Sequence, residues 1–117
     1  MSKPTVVLTQ TEILKRVDRL TESRLALCVS QSWVRPLSDD AGPIFDGVDV
    51  ARLQLIVELA EDMAVNDDAM PIILSLVDQL HALRNRLRAL DRAVADQDEA
   101  VARAIATRLA DLMSELR

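Results

Sequence analysis

Apolar residues in the first third of the chain recur at helical spacing in short bursts, each opened by a capping residue. Thr5 to Leu8 (TVVL) is a brief β-prone run, and the Thr9-Gln10-Thr11-Glu12 that follows has the form of a capping box. Leu8 and Ile13 stand at the staple positions on either side. The spacing therefore predicts a first helix over about 10–17, with Ile13, Leu14 and Val17 inward. Thr21 caps a second helix, stapled by Leu20 and Leu25, with Leu25, Cys28 and Val29 inward. Three residues between the two helices force a sharp crossing, as in a helix-turn-helix.

Arg35-Pro36 ends the second helix, because proline disfavours helical geometry in the residue before it. SDDAGP then reads as a turn between the short runs VRPL and IF, which together make a small β wing. Asp49 is expected to cap a third helix, with Val48 and Leu53 as its staple and Leu53, Ile56, Val57, Leu59 and Ala60 along one face. Asn66-Asp67-Asp68 opens a fourth, where acids suit the helix dipole and Pro71 is tolerable only within the first turn. From there Leu76, Leu80, Leu83, Leu87, Leu90 and Val94 are spaced 4-3-4-3-4, the signature of a coiled-coil seam. The register shifts after Val94 to Val101, Ile105, Leu109, Leu112 and Leu116. Asp96-Gln97-Asp98-Glu99 resembles another capping box, so an extra C-terminal helix is expected, folded back rather than continuous.

The expected fold is all-α: a winged helix-turn-helix head over residues 1–65 and a helical dimerisation region over 66–117. Its core is expected to hold Leu14, Val17, Leu25, Val29, Trp33, Phe45, Leu53, Ile56, Val57 and Ile73. Trp33 and Phe45 are the only aromatic residues, so aliphatic side chains must fill most of the interior. The single cysteine, Cys28, excludes an intrachain disulfide and fits a reducing compartment. No run near the N-terminus has the length of a signal peptide, and no segment approaches a membrane span, so a cytoplasmic location is expected.

Charge changes the picture of what the head meets. Between Leu37 and Asp68 stand nine acids (Asp39, Asp40, Asp46, Asp49, Glu58, Glu61, Asp62, Asp67 and Asp68) and one base, Arg52. A wing and helix that meet phosphate carry the opposite sign. Lys15, Arg16 and Arg19 in the first helix and Arg24 in the second are the only support for DNA, so nucleic acid is an unlikely partner. Several acids serve as caps, and charge on outer helix faces is usually solvation. The scarcity of bases over the whole stretch nevertheless favours a basic protein partner. Catalysis has little to stand on: His81 is the sole histidine, and there is no zinc cluster, phosphate loop or nucleophile with a base. No cofactor is expected.

The leucine seam admits two readings, packing on the chain's own last helix or on a second copy. Its length favours a homodimer through Leu76, Leu80, Leu83, Leu87 and Leu90. In a parallel pair Arg86 would face Asp91 of the other copy.

The order WVRP, IFDGVDVARL and VNDDAMPIILSLVDQLHAL resembles the MerR-like winged-helix families, over about residues 5–90. Within these it is most similar to the chaperone-modulator proteins called CbpM, through Ile44, Phe45, Asp46 and Asp49 at the third helix and Leu76, Val77, Asp78 and Leu80 in the fourth. The Arg-Tyr-Tyr-Glu type signature of a MerR DNA reader is replaced by Leu25-Ala26-Leu27-Cys28. The resemblance implies a regulator that binds the J-domain of a DnaJ-type co-chaperone and inhibits it. It also implies that the J-domain presents a basic helix, for which Glu58, Glu61, Asp62, Asp67 and Asp68 are the candidate contacts. A MerR-like DNA-binding regulator is the alternative.

Overall fold

The computed structural model describes residues 6–116. The elements run β1 (Leu8–Thr9), α1 (Gln10–Arg16), α2 (Glu22–Ser30), β2 (Leu37–Asp39), β3 (Gly42–Phe45), α3 (Gly47–Glu61), α4 (Met70–Ala95) and α5 (Glu99–Glu115). The fold is mostly helical, with a small antiparallel sheet in strand order β1-β3-β2. Two compact units divide between Leu74 and Ser75.

The caps decide where the head helices begin. Thr9 and Glu12 form the reciprocal box, Thr9 Oγ1 accepting from the Glu12 amide at 3.2 Å and Glu12 Oε1 accepting from the Thr9 amide at 3.1 Å. Thr21 Oγ1 accepts from the Arg24 amide at 3.1 Å and starts α2. At α3 the expectation was one turn late. Asp46 is the cap and Asp49 its reciprocal partner, with amide-to-carboxylate bonds of 3.0 and 2.9 Å. The staple consequently moves to Phe45 and Val50, and Val48 is exposed. Burial pushes the Asp49 carboxyl up, and the amide of Asp46 that it accepts opposes that shift. Asp46→Ala removes the carboxylate that accepts from the Asp49 amide, while the backbone N–H of residue 46 stays available to Asp49, and should cost about 1 kcal/mol, measured as a lower denaturation midpoint with an unchanged slope.

The wing is larger by one strand than its turn signals predict, because β1 adds to β3 through Leu8↔Phe45 and Thr9↔Ile44. Of the β-prone run, Thr5 lies outside the described residues, while Val6 and Val7 precede the strand. On the other edge β2 pairs through Leu37↔Ile44, Ser38↔Pro43 and Asp39↔Gly42. Asp39 Oδ1 accepts from the Ala41 amide at 2.8 Å, and Gly42 takes φ 119°, a conformation that side-chain-bearing residues rarely adopt. Pro43 is compatible with this central strand because β1 stops opposite Ile44, leaving Pro43 paired on one side only.

The head core gathers Ile13, Val17, Leu20, Leu25, Cys28, Trp33, Val34, Phe45, Leu53, Ile56, Val57, Leu59, Met70 and Leu74. Leu14 and Ile73 are only partly buried against it. Val29, expected inside, is 39% exposed. It stands one residue beyond Cys28, and that rotation of about 100° carries it off the inward face. Met70 and Leu74 tie the first turns of α4 into this core. The compact unit that holds this core ends at Leu74.

In the second unit α4 continues to Ala95 and α5 follows after a three-residue break at 96–98. The capping box expected there does not form: Asp98 is the cap position of α5 and makes no side-chain cap bond. Leu76, Leu80, Leu83, Leu87 and Leu90 are all exposed, from 45% at Leu80 to 59% at Leu76 and Leu90. Val101, Ile105, Leu109, Leu112 and Leu116 are exposed as well, and no residue of α5 is buried. The seam thus reaches solvent rather than packing under the chain's own last helix.

Candidate functional site

The end of α3 and the turn into α4 bring the five candidate acids to one part of the head. Glu58 and Glu61 lie in the last turn of α3, Asp62 is its C-cap, and Asp67 and Asp68 lie in the turn before Met70. All five are exposed. Asn66 Oδ1 accepts from the Ala69 amide at 2.8 Å and shapes that turn, leaving the carboxylates of Asp67 and Asp68 outside the capping role.

Two of the five carry an internal counter-ion that no spacing rule would find. Arg19, in the turn between α1 and α2, holds Asp62 in a fork, Nη1 to Oδ1 at 2.8 Å and Nη2 to Oδ2 at 3.1 Å. Arg24, in the first turn of α2, reaches Asp67 Oδ1 at 3.2 Å. The bond from Arg19 holds the Asp62 carboxyl below the usual carboxylate range and raises the guanidinium in return. This pair's contribution is present above the ordinary aspartate pKa and is lost as the pH falls through the lowered one. Being exposed, it adds little to stability. Its effect is on charge distribution. Glu58, Glu61 and Asp68 remain as carboxylates with no ion pair among the described residues.

A cleft of about 270 Å³ lies beside these pairs, lined by Arg19, Thr21, Ser23, Arg24, Leu27, Val57, Glu61 and Asp67. In a helix-turn-helix the first residues of the second helix face the DNA bases. Here that turn of α2 holds Glu22, Ser23 and an Arg24 already engaged by Asp67. The wing tip adds exposed Asp39 and Asp40. Arg52, the one base between Leu37 and Asp68, donates Nε to the carbonyl of Trp33. Lys15 and Arg16 of α1 and Arg35 ahead of β2 are exposed bases with no ion pair among the described residues, so the positive charge left to the head lies outside α2 and the wing strands.

Cys28 is fully buried, and burial pushes its thiol up to about 11, so the neutral thiol is the folded form. It should resist alkylation at about pH 8, a pH at which an exposed thiol reacts readily. Labelling of the native protein at the rate of a cysteine in an unfolded peptide would contradict that placement. Among the described residues no group of His, Cys, Asp or Glu is arranged to hold a metal ion. No helix among them is long and apolar enough to cross a membrane.

Neither a curated protein nor a solved structure matches this chain. A family model does, that of the MerR HTH family regulatory protein, over residues 8–92. The matched span begins at β1, takes in the helix-turn-helix and the wing, and ends three residues before the end of α4, leaving α5 outside. With the observed order of helices around a three-stranded wing, this match shows that the chain belongs to the MerR HTH regulatory family.

Proposed function

We propose that this regulator acts on a protein rather than on DNA, by binding the J-domain of a DnaJ-type co-chaperone and inhibiting it, with no chemistry of its own. The observation that carries the reading is the charge arrangement of the head. Arg24 of α2 is engaged by Asp67, while Glu58, Glu61 and Asp68 stand exposed without a counter-ion among the described residues. Such a surface complements a basic helix, the feature that the resemblance to the chaperone modulators implies for a J-domain. Asp62 and Asp67 belong to the same surface, but Arg19 and Arg24 already offset part of their charge. Exposed charges of this kind chiefly steer association and select the partner.

The functional form is a homodimer joined through Leu76, Leu80, Leu83, Leu87 and Leu90. Five exposed leucines at seam spacing on one helix make an apolar stripe that a soluble monomer rarely leaves uncovered. Pull-down from the source lysate with the tagged full chain, and duplex footprinting at physiological salt, test the reading together. Recovery of a J-domain protein with no footprint is the expected result. A footprint at one defined site, with no J-domain protein recovered, would replace this reading with that of a DNA-binding regulator.

A further inference from the structure

The part of α4 beyond the head carries a charge pattern that neither the leucine seam nor the acidic end of α3 uses. Arg84, Arg88 and Arg92 are spaced by four residues, so they form one slowly winding stripe with a rise of about 6 Å between neighbours. His81 falls on the same stripe, one turn before Arg84. At about 100° per residue, the seam residues Leu83, Leu87 and Leu90 lie on a different side of the helix. All three arginines are exposed, and no side-chain hydrogen bond or ion pair holds them among the described residues. Arg103 on α5 shows the contrast, since it pairs with Glu99 one turn away at 2.7 Å. Like charges four residues apart work against a helix, so the stripe is a local cost that the helix carries.

We infer that this stripe is a docking surface for an acidic helix of a partner protein, one with carboxylates at every fourth position. The 6 Å repeat matches that of carboxylates on a facing helix, and guanidinium forks bind carboxylates in pairs. The stripe is also short. Asp78 precedes it, Asp91 stands beside it between Arg88 and Arg92, and Asp96 and Asp98 follow it, so the arginines span about 12 Å, roughly two helical turns. Residues 75–117 hold as many Asp and Glu as Arg, seven of each. A nucleic-acid duplex rewards a broadly basic face rather than a bounded stripe on a neutral unit. The inference is independent of the J-domain reading, which concerns residues of the head.

Fluorescence anisotropy with the full chain at low ionic strength tests it, using three labelled probes. One is an alanine-based helical peptide with three glutamates at every fourth position. The second is an isomer with the same glutamates spread around the helix, and the third a DNA duplex of random sequence. The striped peptide should bind about 10-fold more tightly than the isomer and more tightly than the duplex. The combined Arg84→Gln, Arg88→Gln and Arg92→Gln variant should bring it down to the level of the isomer. Arg108→Gln on α5 should leave binding at the wild-type level, and circular dichroism should show both variants as helical as the wild type. Tighter binding of the duplex, equal binding of the two peptides, absence of peptide binding, or an unchanged triple variant would each overturn the inference.

Discussion

Phe45→Ala should destabilise the head by about 3–5 kcal/mol, the range for removing a buried aromatic ring. That is a large part of the total stability of a small domain, commonly about 5–15 kcal/mol. Phe45 has 1% exposure and serves three elements at once. It pairs with Leu8 across β1 and β3, precedes the Asp46 cap of α3 as the outer half of its staple, and belongs to the cluster with Ile13, Leu53 and Ile56. No other aromatic ring can fill the space, since Trp33 is the only other one in the chain. Trp33 is itself buried, so its fluorescence during urea denaturation reports unfolding of this unit directly. Val48→Ala is the matched control, because Val48 is 74% exposed and its truncation should move the midpoint little. Equal midpoints for the wild type and Phe45→Ala would contradict the assigned core.

Leu83→Glu should abolish the proposed dimer. Leu83 lies at the middle of the seam and is 53% exposed in the single chain, so the substitution leaves the head core untouched. In a dimer of two-fold symmetry it would place two carboxylates in an apolar layer, where a charge without a partner is strongly disfavoured. A cost of about 3 kcal/mol corresponds to dissociation roughly 100-fold easier. Sedimentation at micromolar concentration should show the wild type as a dimer and the variant as a monomer, with equal helical content. A wild type that sediments as a monomer would remove the seam's assigned role.

Local chemistry made the head legible from sequence. Thr9 and Thr21 announce α1 and α2 because a hydroxyl and an amide three residues apart are enough to start a helix. The wing hairpin follows from its turn residues, and the break before α5 from the shift in apolar register. Competing local signals hid the cap of α3, since Asp46 and Asp49 are each good caps and their reciprocal bonds decide between them. The pairing of the third strand was hidden for another reason: Leu8 meets Phe45 across α1, α2 and β2, and the two-residue strand has no alternation to read. At the candidate site, the sequence exposes the excess of acids but not their neutralisation. Arg19 meets Asp62 and Arg24 meets Asp67, each 43 residues apart, through tertiary packing of the turn and α2 against the end of α3. Those contacts leave Glu58, Glu61 and Asp68 as the part of the surface with no ion pair among the described residues.

That division points to the most direct measurement, stopped-flow association of the isolated J-domain with the full chain across a range of salt. The wild type should associate rapidly at low salt and slow steeply as salt rises, because complementary charge accelerates encounter and salt screens it. Glu58→Lys combined with Glu61→Lys should lower the association rate by roughly 10-fold or more and flatten its salt dependence. Both positions are exposed and neither carries an ion pair among the described residues, so the variant should keep the wild-type denaturation midpoint. Failure of the wild-type chain to bind the J-domain, or a variant with unchanged rate and salt dependence, would contradict an acidic docking face at the end of α3.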